Sequence, residues 1–219
     1  MAPLDLTQLT VSGLSVDGDT LWVASIREQL VARVTLGAST ATLVLTYAHP
    51  VADVAPAPEG LWLVAGGGAR GRQCVLWSLA EARELRRFDC PGGAGGGLAF
   101  WRDRLWLTHR HSRRLYVLDP ASGAVERSFA TEHEVFSPSV AGGRLWLVEA
   151  RTGPFGRFSP KSELAYFFSC FDADRGAVAE RFAAPVPPAA MATDGAHFWY
   201  APRERTGVAS VASADLVAS

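Results

Sequence analysis

A tryptophan recurs through this chain at a nearly fixed interval, and each copy brings the same neighbourhood with it. GDTLWVAS around Trp22, PEGLWLVA around Trp62, RDRLWLTH around Trp106, GGRLWLVE around Trp146 and GAHFWYAP around Trp199 align without gaps, at spacings of 40, 44, 40 and 53 residues. A large apolar residue precedes each Trp (Leu21, Leu61, Leu105, Leu145, Phe198), and a small one stands seven positions before it (Ser15, Ala55, Ala99, Ser139, Ala192). A repeat of this length points to a solenoid, a propeller or an array, because one unit cannot bury its apolar face alone.

Between the small residue and the Trp lies a turn such as DGD, APEG, AGG or TDG, so each unit begins as strand, tight turn, strand. A third strand follows, as in LYVLDPASG (115–123) or CVLWSL (74–79), and a fourth, as in AVERSF (124–129) or ELRRF (84–88). Helical periodicity never persists long enough to compete. Four short antiparallel strands per repeat predict an all-β fold, a single five-bladed propeller domain over residues 1–219. Small residues suit the crowded inner strands, and Trp fills the seams between blades. After GVASVASADL too few residues remain for a good fourth strand in the last unit. Leu4 to Thr10 alternates apolar with polar, so this N-terminal strand is expected to complete the last blade, close the ring and hide its edges.

The segments LWVASIREQLVARVTLGA and RLYVLDPASGAVERSF resemble repeats of the YVTN/NHL-type propeller superfamily, which includes the glutamine cyclotransferase and virginiamycin B lyase families. The resemblance runs over nearly the whole chain and concerns blade architecture, so it implies the fold and carries no reaction with it. The FTQGL-like segment of glutamine cyclotransferases is missing, and the chain is too short for the seven blades of virginiamycin B lyases. Gluconolactonase-like propellers use asparagine at their metal, and asparagine does not occur here.

Twenty-one basic and twenty-two acidic side chains give a net charge of -1, which offers no global case for binding nucleic acid or membrane. No apolar run is long enough to cross a bilayer, and MAPLDLTQLTVSG has no basic leader, so a cytoplasmic location is expected. Three widely spaced cysteines, Cys74, Cys90 and Cys170, read as free thiols. Lys161 is the single lysine against twenty arginines, the bias of a GC-rich, bacterial genome. The glycine-rich stretches AGGGARGR (65–72) and PGGAGGG (91–97) lack GK[ST] and read as mobile loops rather than phosphate cradles. DADRGAVAE (172–180) lacks the ligands of a calcium loop, and no GxSxG is present.

In a propeller the loops joining strands two and three share a face with the loops joining one blade to the next. The two-to-three loops hold eleven of the twenty-one basic side chains, and the opposite face is rich in Asp and Glu. Arg27, Arg110, Arg113, Arg151 and Arg203 are therefore expected to converge on an anion, held by planar guanidinium forks. RLWLTHRHS (104–112) ends in one of these loops, with His109 and His111 pointing the same way in extended backbone. His133 and Glu149 fall on the same face, so these four could ligate a metal or move protons. The arginines crowded around them oppose a cation, and neither metal nor cofactor is predicted. The longest insertion, Glu149 to Glu163, is long for a blade loop and marks the same face as functional. The expected function is a non-enzymatic module whose basic face binds an anionic small molecule or an acidic protein partner. The alternative is a lyase, cyclase or hydrolase at the axial pocket, using His109, His111, His133 or Glu149. The oligomeric state is not legible.

Overall fold

The computed structural model describes residues 4–152 and 164–218, the side chain of Arg70 excepted. Most of the long insertion, with Arg157, Lys161 and Glu163, lies outside them. The chain opens with β1 (Leu4–Asp5) and a single 3-10 turn, Leu6–Gln8. Blade one is β2 (Val11–Asp17), β3 (Thr20–Ser25), β4 (Leu30–Thr35) and β5 (Thr40–Thr46). Blade two is β6 (Val51–Ala57), β7 (Gly60–Gly66), β8 (Arg72–Ser78) and β9 (Arg83–Asp89). Blade three is β10 (Leu98–Trp101), β11 (Arg104–His109), β12 (Arg114–Leu118) and β13 (Val125–Ala130). Blade four is β14 (Glu134–Ala141), β15 (Arg144–Arg151), β16 (Ala165–Asp172) and β17 (Ala177–Ala183). Blade five has three strands, β18 (Pro188–Thr193), β19 (His197–Pro202) and β20 (Ala209–Ala212). Each sheet is an antiparallel meander, and together they form the expected five-bladed propeller.

The Leu-Trp pair explains the ring. Successive strand residues point to opposite faces, so the second strand of each blade sends its Leu into one seam and its Trp into the next. Trp22 packs with Val51, Val54, Leu61 and Leu63 of blade two, and Trp62 with Leu98, Leu105 and Leu107 of blade three. Trp106 packs with Val135, Leu145 and Leu147 of blade four, and Trp146 with Met191, Phe198 and Tyr200 of blade five. Trp199 meets Leu14, Leu21 and Val23 of blade one. The fifth seam is the same interface as the other four, and it closes the ring.

Closure by strand exchange does not occur. β1 pairs with β5, the outer strand of blade one, through Leu4 with Ala41 and Asp5 with Thr40, and it adds nothing to blade five. The alternation in LDLTQLT breaks because Asp5 Oδ1 accepts both the Thr7 N–H (2.9 Å) and the Thr7 hydroxyl (2.7 Å). That local turn competes with the extended chain. Leu6 and Leu9 then bury their side chains in the seam between blades five and one, and Leu9 O accepts the Gly207 N–H (3.1 Å). The segment seals the last seam without completing the last blade.

The three cysteines are free and buried, with the Sγ atoms of Cys74 and Cys90 3.6 Å apart. No helix among the described residues is long and apolar enough to cross a membrane.

Candidate functional site

The inner strands carry an irregularity that the sequence pattern hides. In blade two Val51 opposes Ala65 and Asp53 opposes Val64, so one extra residue bulges from β6. Similar shifts occur at Val11/Gly13, Phe136/Ser139 and Pro188/Ala190. The bulge changes the parity of the strand. Val51 and Val54 enter one seam and Ala52 and Ala55 the other, which leaves Asp53 between them, aimed at the axis. Nine positions before the five tryptophans stand Gly13, Asp53, Gly97, Ser137 and Ala190. A Cβ on Gly13 would lie 2.2 Å from Asp53 Oδ1, and one on Gly97 would lie 2.7 Å from Oδ2. Two blades give up their side chains so that a third can place a carboxyl there.

Asp53 is fully buried and ties blades together. Its Oδ1 accepts the Val54 N–H (2.9 Å), and its Oδ2 accepts the Leu98 N–H of blade three (2.8 Å). Burial still outweighs these donors and the charge of Arg72, and holds the carboxyl well above the usual aspartate range. Ser137 makes a similar link, accepting the Met191 N–H at 2.7 Å.

Above this floor the basic face opens into a cavity of about 400 Å³, lined by Arg72, Ala94, Gly95, Gly96, His109, Arg110, His111, Phe136, Ala189 and Arg203. Arg110 and Arg203 both lie over the Phe136 ring, at 5.2 and 5.1 Å from its centre. Arg110 Nε donates to Glu134 Oε2 at 2.5 Å, an ion pair that fixes its head. Arg203 Nε donates to the Pro188 carbonyl (3.0 Å), and its guanidinium also covers the Tyr166 ring at 5.3 Å. Its residue surface is exposed, yet the head is packed, and burial followed by the charge of Arg110 holds its pKa below the usual arginine value. Arg72 donates to the Gly95 carbonyl. Among the described residues the ion pairs of this rim engage Arg110 and Arg181, and none engages Arg72 or Arg203.

His109 is half-buried, and its Nδ1 accepts the Ser112 N–H (3.2 Å), so the neutral ring carries its proton on Nε2. Burial, then its own main-chain hydrogen bond acting the other way, then the charge of His111 leave its pKa below 6.5. A second cavity of about 470 Å³ adjoins the first, sharing Arg72 and Ala94, and is walled by Gly66, Gly67, Gly68, Gly71 and Gly93 with Ile26, His49 and Pro50. Both glycine-rich stretches thus line one continuous trough. On the opposite face the acids are partnered: Arg102 with Asp174 (3.2 Å), Arg104 with Glu126 (2.5 Å) and Arg144 with Glu180 (2.5 Å).

Of the five arginines expected to converge, the cavity takes in Arg110 and Arg203. Arg27 is exposed in the turn after β3, Arg113 donates to the Glu132 carbonyl (3.4 Å), and Arg151 lies over the Phe167 ring at 5.8 Å. Glu149 is completely buried and committed to structure, accepting from Arg181 Nε (2.7 Å) and from the Ser169 hydroxyl (2.6 Å). His133 stacks on Phe167 with ring centres 6.1 Å apart. His109 and His111 therefore line the cavity while His133 and Glu149 sit in a different contact network. Among the described residues no three His, Cys, Asp or Glu side chains form a metal-ligand cluster. Neither Arg72 nor Asp53 was singled out from the sequence. The signal for Asp53 was its place as the one acid among small residues at the position nine before each Trp.

No family model matches the chain, and no curated protein sequence does. Solved structures do resemble it. Myxococcus xanthus glutaminyl cyclase matches with a TM-score of 0.67 at 12% identity, over 99% of this chain and 96% of that one. A chain of a mitotic checkpoint complex matches with a TM-score of 0.55 at 14% identity, over 100% of this chain and 83% of that one. Kuenenia stuttgartiensis hydrazine synthase matches with a TM-score of 0.53 at 14% identity, and the 91% of this chain that aligns spans 56% of its length. At such identities the likeness is one of fold alone.

Proposed function

We propose that the protein binds a small anionic molecule in the trough on its basic face, with Arg72 and Arg203 as the principal cationic contacts. The observation that carries this reading is the pair of guanidinium groups at the cavity wall that form no ion pair among the described residues, beside Arg110, which pairs with Glu134. A cation held near another cation is repelled by it, and an anion between them relieves that repulsion. Phe136 and Tyr166 hold the Arg203 head in place, so little rotamer entropy is lost on binding. His109 adds a neutral Nε2–H donor at neutral pH. The concavity favours a small molecule over an acidic protein surface. Binding without catalysis is the better-supported reading, because Glu149 and His133 are taken up elsewhere and, among the described residues, no acid–base pair assembles at the cavity.

Isothermal titration with inorganic phosphate and with citrate tests this. At least one should bind, and affinity should fall with added salt because exposed charges are screened beyond about 8 Å at physiological ionic strength. The double variant Arg72→Met with Arg203→Met should bind roughly a hundredfold more weakly, two charge-assisted contacts at about 1.5 kcal/mol each. Titrations that show no binding of either anion, or equal binding to the double variant, refute the assignment.

A further inference from the structure

Blade five ends at its third strand, and the outer edge of that strand differs from every other outer edge in the ring. β9 (RELRRFD) and β13 (VERSFA) carry charged side chains, which defend an exposed edge against another strand, and β17 (AVAERFA) carries them too and is bridged on its outer side by Val217 and Ala218. β5 (TATLVLT) has no charge, and β1 of the same chain covers it. β20 (ASVA) has no charge either, and among the described residues no strand pairs with its outer side. We propose that β20 is a docking edge and that its partner is the β20 of a second copy, paired antiparallel about a two-fold axis.

The register follows from the pairing within the blade. β20 runs antiparallel to β19, with Phe198 opposite Val211 and Trp199 opposite Ser210. Ser213 N–H donates to the Ala196 carbonyl (2.8 Å), one step beyond the His197–Ala212 pair. Hydrogen-bonded and non-hydrogen-bonded pairs alternate along an antiparallel ladder. Val211 and Ala209 therefore bond inward to β19, and the N–H and C=O groups of Ser210 and Ala212 point outward. Those are two residues apart, the spacing that a two-fold centred on Val211 requires. Ser210 of each copy exchanges both bonds with Ala212 of the other, and the two Val211 residues face each other across a non-hydrogen-bonded pair.

Charge supports the same arrangement. Arg205 precedes β20 and is exposed, and Asp215 follows it and is exposed. Antiparallel pairing brings the Arg205 end of one copy to the Asp215 end of the other, so unlike charges meet twice, whereas a parallel pairing opposes like charges. Two pairs of main-chain bonds make a small interface, well below the roughly 800 Å² per partner of a stable complex, so the dimer is a weak one whose population rises with protein concentration.

Sedimentation velocity of the full chain over a concentration series reads the association, and the thermal midpoint of dilute protein reads the fold. The wild type should show a concentration-dependent monomer–dimer equilibrium. Ser210→Pro removes an outward N–H that the blade does not use, and should weaken the dimer about tenfold or more while leaving the midpoint unchanged. If that variant misfolds, the charges decide: Arg205→Glu or Asp215→Arg alone should weaken association, and both together should restore it. A wild type that stays monomeric at every soluble concentration overturns the proposal, and a heterologous strand as the true partner would show itself in that way. A dimer indifferent to Ser210→Pro, or charge reversals that fail to compensate each other, also overturn it.

Discussion

Replacing Asp53 by Ala tests whether the axis is held by a buried carboxyl or merely filled by one. In the folded protein this carboxyl accepts N–H groups from Val54 and Leu98, which belong to consecutive blades. Alanine leaves two buried donors without an acceptor, each costing about 1–3 kcal/mol, and relieves the burial of an acid in return. The balance is a loss of about 3 kcal/mol, a large share of the ~5–15 kcal/mol by which a domain of this kind is stable. Asp53→Asn keeps one acceptor oxygen and turns a donor toward the Leu98 N–H, so it should lose about 1–2 kcal/mol. Urea unfolding measures both, with the slope unchanged and the midpoint lowered. The two variants also separate charge from shape. The folded carboxyl titrates well above its ordinary value of 3.8, so the folded state binds this proton more tightly than the unfolded chain. Its contribution to stability must then fall as pH rises from about 4 toward the folded value, and the gap between wild type and Asp53→Asn should narrow over that range. An alanine variant within about 0.5 kcal/mol of wild type, or a gap that ignores pH, would refute the reasoning.

Other substitutions test other seams. Arg181→Met leaves Glu149 buried without its cation, and should cost about 3–5 kcal/mol at pH 7 by urea unfolding. Leu6→Ala with Leu9→Ala removes two buried side chains from the seam between blades five and one, at a cost of about 4 kcal/mol, although neither residue belongs to a blade. A pair of alanines with the wild-type urea midpoint would mean that the N-terminal segment only lies on the seam. His109 should titrate below 6.5 by NMR, because burial disfavours its charged form. Its folded pKa is lowered, so stability should drop as pH falls through 6.5, and His109→Gln should remove that part of the slope.

The blades were legible because they are built by a pattern of period two on a period of forty-odd residues. Leu105 and Trp106 can be assigned to opposite seams from their order alone, and the same holds in every unit. The N-terminal segment was misjudged for a local reason: LDLTQLT has a strand's alternation, but Asp5 and Thr7 close a turn that alternation cannot reveal. The side of the ring on which the loop arginines fall follows from strand order, while which of them reach the cavity does not. Arg110 and Arg151 occupy similar places in neighbouring blades, yet one reaches the cavity and the other a phenylalanine.

What separates the two is the axis. Strict alternation puts Asp53 in the seam with Ala55, where an aspartate would be a poor choice, so the residue looks like a loop acid. The bulge at Ala52 resets the parity and sends it inward. A carboxyl at the axis then requires neighbours without side chains, and Gly13 and Gly97 supply them. Gly97 continues into Gly96 and Gly95, whose carbonyl receives Arg72 at the cavity wall. The same short glycine run that makes room for Asp53 below thus lines the cavity above and holds Arg72 at its wall. Stability at the axis and the proposed anion binding on the face are therefore expected to be coupled through residues 95–97. A substitution at Gly97, where a Cβ would lie 2.6 Å from Pro138 and 2.7 Å from the Ser137 nitrogen, should disturb both at once.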